Sequence, residues 1–551
     1  MTSMTLRGIR SACAVLLAPL AALPAAASGA DGDWASYNKT LTSERFSSLA
    51  EIKRDNVRNL VRLCTYDTGQ QTSFQTGPLM IDDTVYITTE FDTIAIDAAT
   101  CGEKWRVRER YEGSFLKVNR GAAFLDGAVY RGTQDGRVIA YDARRGAKLW
   151  ETRIADPAKG ESVPAAPIAW SGLVFIGNAG GDNYGVKGRM YALDAKTGKI
   201  VWEFYLVPKD TGASADPAAD ASASADASAS AGDRIAAPTW GNEPGVPING
   251  GATWTSYSLD PEAGLLYVPG GNPTPDFLPE LRPGANLFAN SVVVLDARTG
   301  AYRAHYALVE RDFHDWDAST APALVTTRGG RRLLAAAVKD GHLYGYDLTS
   351  GERLYKVPVT TIDNADAALT RKGTHFCPGT QGGSEWNGAA YDPETNLVYT
   401  GAVDWCTTVK IGDPAAARSA SLGQPWSGSG DDANRFGVMD KTSRWAGWLY
   451  ASDADTGETA WRFKTKAPIM SGVTPTAGGL VLFGDMEGVA HALDASTGDE
   501  LWTDDVGGAV GGGVISYETG GRQRIALAVG MSSPIWPAPA TTAKLVIYGL
   551  R

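Results

Sequence analysis

Asp182 and Asn183 stand inside a glycine-rich run, GNAGGDNYG, at residues 177–185. Carboxylate and amide oxygens are hard donors for a metal ion, and glycines let the backbone approach a ligand closely. The run reads as a site at the end of a strand, where it helps hold a metal and a cofactor at the centre of a repeating fold. No Cys-x-x-Cys-His occurs in the 551 residues, so no covalently attached c-type haem is encoded here.

The element that must position this site follows it directly. The segment RMYALDAKTGKIVW ends in an Asp-x-x-(Thr)-Gly turn and an aromatic residue, and that unit recurs. Copies begin at Asp97, Asp142, Asp194, Asp296, Asp347, Asp453 and Asp494. An alternating apolar strand precedes most of them, the glycine supplies the φ > 0 position of a tight turn, and the Trp packs between neighbouring sheets. Copies lie 41–52 residues apart except for gaps of 102 and 106 residues, each with room for a degenerate copy or an insertion. That period suits one four-stranded blade of a β-propeller. With 64 Gly, 28 Pro and no long helical periodicity, the chain is expected to be all-β. The net charge of −11 argues against nucleic-acid binding and is compatible with a basic protein partner.

Residues 1–30 read as a secretory signal: Arg7 and Arg10, an apolar stretch from Ala12 to Ala22, then small residues, with cleavage near Ala27 or Ala30. No later run is long enough to span a bilayer as an apolar helix. Residues 31–551 are expected to form a single propeller domain in an exported, periplasmic protein. Export makes disulfides possible. Cys64, Cys101, Cys377 and Cys406 remain after the signal and allow three pairings, of which Cys64–Cys101 and Cys377–Cys406 join nearby blade segments. The Ala, Ser and Asp repeats at 210–233 have little to pack and read as a disordered surface loop within the domain.

Several motifs in one order carry a family resemblance: VNRGAAFLDGAVY at 118–130, the stretch from Gly177 to Trp202, GGATWTSYSLDPEAGLLYVPGGNP at 250–273, HDWD at 314–317, CPGTQGGSEWNGAAYDP at 377–393 and SGVTPTAGGLVLFGD at 471–485. On these the chain resembles the pyrroloquinoline quinone (PQQ)-dependent alcohol dehydrogenases, the methanol and ethanol dehydrogenase group, over nearly all of residues 34–551. The resemblance implies an eight-bladed β-propeller with the quinone near its axis. It makes Trp254 the flat floor beneath the quinone, and Arg120 and Lys339 the cations that meet its carboxylates and carbonyls. Asn387 is a further polar contact, and Gln75 takes the place of a Glu near the cofactor carboxylates. It places metal ligands at Asn272 and Asp317, with a third at Asp182 or Asn183, Asp182 being preferred because the site wants a carboxylate. Asp317 is also implied as the catalytic base. Lanthanide-using relatives carry an extra Asp where this chain has Ser319, so Ca2+ is the expected ion.

The chain departs from the family pattern at several positions. An adjacent Cys pair that covers the quinone is replaced at Ser114 and Phe115, a Thr is replaced near Pro164, Gly-Asp-Asn reads Gly284-Ala285-Asn286, and a substrate-cavity Trp aligns with Met470. Two functions are compatible with these residues. One is a periplasmic quinoprotein that oxidises a small alcohol and passes electrons to a separate cytochrome c or other acceptor. The other is a propeller that has lost PQQ and serves as a binding or assembly scaffold.

Overall fold

The computed structural model of the chain describes residues 31–209 and 226–551. The signal segment and residues 210–225 lie outside the described residues. Eight four-stranded antiparallel sheets form the blades, and a smaller three-stranded sheet accompanies them. Blades 1 to 7 occupy residues 79–108, 123–153, 168–205, 258–307, 323–358, 389–465 and 474–505. Blade 8 combines residues 510–550 with an outermost strand, Leu60–Asp67, from the other end of the chain. That strand pairs antiparallel with Lys544–Leu550, Leu60 opposite Leu550 and Tyr66 opposite Leu545. In each of blades 1 to 7 the second strand is mainly apolar and buried, as in Thr84–Thr88, whereas the fourth alternates, as in Glu103–Arg108. This is the pattern of a sheet covered on both faces near the axis and reaching solvent at its rim.

The seven Asp–Gly turns join the third and fourth strands of blades 1 to 7. In blade 3 the Asp194 carboxylate accepts from the Lys196 and Thr197 amides and from the Thr197 hydroxyl. Gly198 sits at φ 70°. A Cβ there would lie 2.5 Å from Trp150 of blade 2, whose indole donates to the Ala195 carbonyl at 2.9 Å. Trp105, Trp202 and Trp461 dock on the next blade in the same way, donating to Ala143, Ala297 and Ala495. The repeated Trp is therefore a packing residue, as expected, and in blades 1, 2, 3 and 6 its N–H bonds the blade to the turn of the next.

Among the described residues, neither wide gap holds an eighth copy of the turn. The first holds the connection 206–257 between blades 3 and 4, and the second holds an insertion, 405–445, between the second and third strands of blade 6. Blade 8 lacks the motif because its fourth strand arrives from the chain's other end and needs no turn.

Both expected disulfides are formed, with Cα–Cα distances of 6.0 Å for Cys64–Cys101 and 4.5 Å for Cys377–Cys406. The first ties the outermost strand of blade 8 to the Asp97 turn of blade 1. One expectation is corrected. A disordered loop is expected over 210–233; its residues 210–225 lie outside the described residues, and from Asp226 the chain forms an α-helix, Asp226–Ala236. Ala and Ser are compatible with a helix once its end is anchored, and Ala236 is buried in the core that also holds Phe204 and Phe288. No helix among the described residues is long and apolar enough to cross a membrane.

Candidate functional site

In an antiparallel blade, the second-to-third hairpin and the link from the fourth strand to the next blade emerge at the same end. The site is built from those segments. Gln75, Arg120, Trp254, Asp315, Asp317 and Glu385 lie on links that lead into blades 1, 2, 4, 5 and 6. Asp182, Asn272, Lys339 and Trp536 lie on second-to-third connections of blades 3, 4, 5 and 8. All of them line one cavity of about 410 Å³, within the range of small-ligand sites.

Arg120 is buried, with its guanidinium 4.4 Å from the Trp254 ring centre and 5.4 Å from that of Trp386. It donates to the Trp254 carbonyl at 3.1 Å, while its Nε has no partner. Burial lowers its pKa to about 10, so it stays cationic at neutral pH. The indole of Trp254 donates to Asp317 Oδ1 at 3.3 Å, and the Asn272 amide donates to the same oxygen at 3.0 Å. Lys339 Nζ donates to Asp317 Oδ2 at 2.9 Å and lies 3.3 Å from Asp315 Oδ2. Burial pulls the Lys339 pKa down, but Asp315 and Asp317 outweigh it and hold it well above the ordinary value. Gly271 permits this packing, because a Cβ there would lie 2.7 Å from Asp317 Oδ1.

Asp182 joins two carboxylates that sequence reasoning missed. One oxygen each from Asp182, Asp276 and Asp315 lies within 4.8 Å of the others. Burial and the Asp317 charge lift the Asp182 carboxyl to about 6. Burial and neighbouring carboxylates also push Asp276 and Asp315 well above their ordinary value. Asn183 lines the cavity, but its amide donates to the Gly160 carbonyl at 2.8 Å. Of the two alternatives, Asp182 is the one in the cluster. Asn272 lies beside it, its side-chain Nδ2 donating to Asp276 Oδ1 at 2.9 Å, while its backbone N–H serves Asp317.

Asn387 is placed elsewhere. Its side chain is buried against the Gly401 and Ile469 carbonyls, at 3.1 and 3.4 Å, and does not line the cavity. Glu385, two residues earlier, faces the cavity instead, with Oε1 unpartnered. Its sequence signal was a carboxylate in a glycine-rich link, the setting that had singled out Asp182. Gln75 also faces the cavity, its Nε2 donating to Ser73 at 2.8 Å and its Oε1 free. At the mouth, Phe115 is 60% exposed beneath the Arg435 guanidinium, 5.1 Å from its ring centre. Met470 is buried in an apolar cluster, and the tryptophan on that side of the cavity is Trp536.

Burial lifts the Glu385 carboxyl to about 7 from 4.5, with Lys339 opposing and Asp317 adding. Its folded pKa exceeds its unfolded one, so its contribution to stability is complete below pH 4.5 and is lost as pH rises through about 7. In quinone- and metal-free protein, the unfolding midpoint of the wild type should fall across that window more than that of Glu385→Gln. Parallel pH curves for the two would reject the shift.

A cavity with tryptophan walls, two buried cations and a carboxylate cluster at one edge suits a flat polyanion lying beside a hard cation. The free Arg120 Nε, the free Glu385 and Gln75 oxygens and a free Asp276 Oδ2 are the unused groups such ligands would occupy. Comparison with known proteins agrees. The family model described as PQQ, glucose/ethanol/alcohol dehydrogenase, beta-propeller domain, matches residues 34–370. A second, described as outer membrane protein assembly factor BamB, matches residues 446–536. The chain is 32% identical over 558 residues to quinohemoprotein alcohol dehydrogenase ADH IIB of Pseudomonas putida, covering 94% of this chain and 77% of that one. It is also 32% identical over 573 residues to the dehydrogenase subunit of the Acetobacter aceti alcohol dehydrogenase (quinone), covering 94% and 75%. Among solved structures, the quinohemoprotein alcohol dehydrogenase ADHIIG of Pseudomonas putida HK5 superposes with a TM-score of 0.84 at 27% identity, over 94% of this chain and 80% of that one. A europium-containing methanol dehydrogenase shares the fold, with a TM-score of 0.79 at 24% identity over 95% and 98%. The chain belongs to the PQQ-dependent alcohol dehydrogenases and is an oxidoreductase of that family.

Proposed function

We propose that this quinoprotein works in the periplasm, oxidises a small alcohol at the axial cavity with Asp317 as base, and passes electrons to a separate carrier. The observation that carries the reading is Asp317 itself. Its carboxylate faces the cavity and is oriented by Trp254 Nε1, the Asn272 amide and Lys339 Nζ. Bound PQQ supplies the two-electron acceptor for the hydride leaving the carbinol carbon. Asp317 takes the hydroxyl proton, so the alcohol leaves as the carbonyl compound. Arg120, Lys339 and Gln75 would hold the quinone's oxygens, with Trp254 as its floor. Asp182, Asn272 and Asp317 would hold a hard cation beside the quinone. The N-terminal signal pattern and the two disulfides support export, and the lack of a Cys-x-x-Cys-His in these residues supports a separate cytochrome c or other acceptor.

Adding PQQ together with calcium, or with a trivalent lanthanide ion, to the purified protein should give a retained quinone absorption band and dye-linked oxidation of primary alcohols. Protein that retains no quinone and oxidises no alcohol would instead support the scaffold reading.

A further inference from the structure

Ser319 is where the expected choice of calcium rested, but that side chain takes no part in the carboxylate cluster. Its hydroxyl donates to the Ser384 and Glu385 carbonyls at 3.0 and 3.2 Å. Carboxylates converge on the cluster from two other positions. Asp276 is fully buried, and its Oδ1 accepts from Asn272 while its Oδ2 has no partner. Asp315 is buried beside Lys339. With Asp182, each offers an oxygen within 4.8 Å of the other two.

We infer that Asp276 and Asp315 ligate the cation directly together with Asp182, and that this three-carboxylate set makes the site prefer a trivalent to a divalent ion. The charge count gives the direction. Lys339 Nζ lies 2.9 Å from Asp317 and 3.3 Å from Asp315 and offsets one of the four carboxylates, so the charge of three is what the ion must neutralise. A trivalent ion cancels it, whereas calcium leaves one buried negative charge without a partner, which is costly in a site shielded from water. Ligand charge count is a principal control of affinity for hard cations. Arg282 fixes the spacing. Its guanidinium donates to the Asp276 and Asp312 carbonyls, both at 2.9 Å. Asp312 in turn accepts from the His314 and Trp316 amides that flank Asp315.

The inference shares its site with the dehydrogenase reading but is tested without quinone or alcohol. Terbium(III) is titrated into the quinone-free, full-length protein, emission sensitised by nearby tryptophan is recorded, and calcium is used to displace it. The expected result is one terbium site, bound at least roughly ten-fold more tightly than calcium, with Asp276→Asn and Asp315→Asn each lowering terbium affinity roughly ten-fold or more and calcium affinity less. Calcium binding as tightly as terbium in the wild type would overturn the charge argument. Wild-type terbium affinity in both variants would overturn the ligand assignment. If either variant proves unfolded by circular dichroism, the other and the wild-type competition decide. Quinone retention by the wild type, measured separately, shows whether the dehydrogenase reading itself has failed.

Discussion

Asp317→Asn should give a folded protein that still retains PQQ but oxidises alcohol roughly 100- to 10,000-fold more slowly, the range for losing a general base. An amide oxygen can still accept from Trp254 Nε1 and the Asn272 amide, so the floor and the neighbouring strand end keep their partner. Lys339 keeps Asp315, 3.3 Å away, and does not become an unpaired buried charge. The side chain can no longer take a proton as an ordinary carboxylate does. The measurement is kcat in a dye-linked assay at saturating quinone and cation, with quinone retention followed by absorption. Turnover equal to the wild type would remove Asp317 from the role of base.

Arg282→Met should destabilise the protein by about 3–5 kcal/mol, the scale for removing one member of a buried ionic network. Arg282 is 1% exposed. It donates to the Pro275 carbonyl at 3.1 Å and to Asn286 Oδ1, the Asp276 carbonyl and the Asp312 carbonyl, each at 2.9 Å. Methionine fills much of the same volume and leaves all four acceptors buried without a donor. Arg282→Lys should recover little, because an ammonium cannot present the same planar fork. An unfolding midpoint in guanidinium equal to that of the wild type would show that these contacts contribute nothing net. Because the same side chain joins the segments carrying Asp276 and Asp315, the variant should also bind cations more weakly.

The propeller was legible because its signal is local. A turn that needs an Asp acceptor, a residue at φ > 0 (glycine in six copies, Cys101 in the first) and an aromatic residue shortly after it is written within nine residues, and seven blades repeat it. What was illegible came from long-range pairing. Blade 8 carries no turn, since its outer strand lies some 480 residues from its partner, and the two wide gaps looked like places for missing copies. At the site, motifs pointed to the right links but not always to the right side chain. Within NPTPD and HDWD, Asn272 and Asp317 were singled out, while Asp276 and Asp315 stood four and two residues away. In SEWNG the residue facing the cavity is Glu385, and Asn387 turns into the blade. Which member of a short polar run faces the axis depends on backbone twists such as the φ of 65° at Asp315, and a single sequence does not encode these legibly.

The way blade 8 is completed has a consequence for the order of assembly. The first seven blades are successive hairpins and can each form as soon as their own residues are available. The strand Leu60–Asp67 cannot pair until Lys544–Leu550 has been made, so one of the first strands synthesised is among the last to be satisfied. In the interval it is an unpaired edge, the kind of surface on which partly folded chains associate wrongly. The Cys64–Cys101 link spans 37 residues, so it can close early in an oxidising compartment and hold the waiting strand against blade 1. Its place at the seam makes it a guide for the last step of closure. Chains assembled without it would have to find that final pairing across nearly the whole polypeptide, a slower search with more time exposed to aggregation.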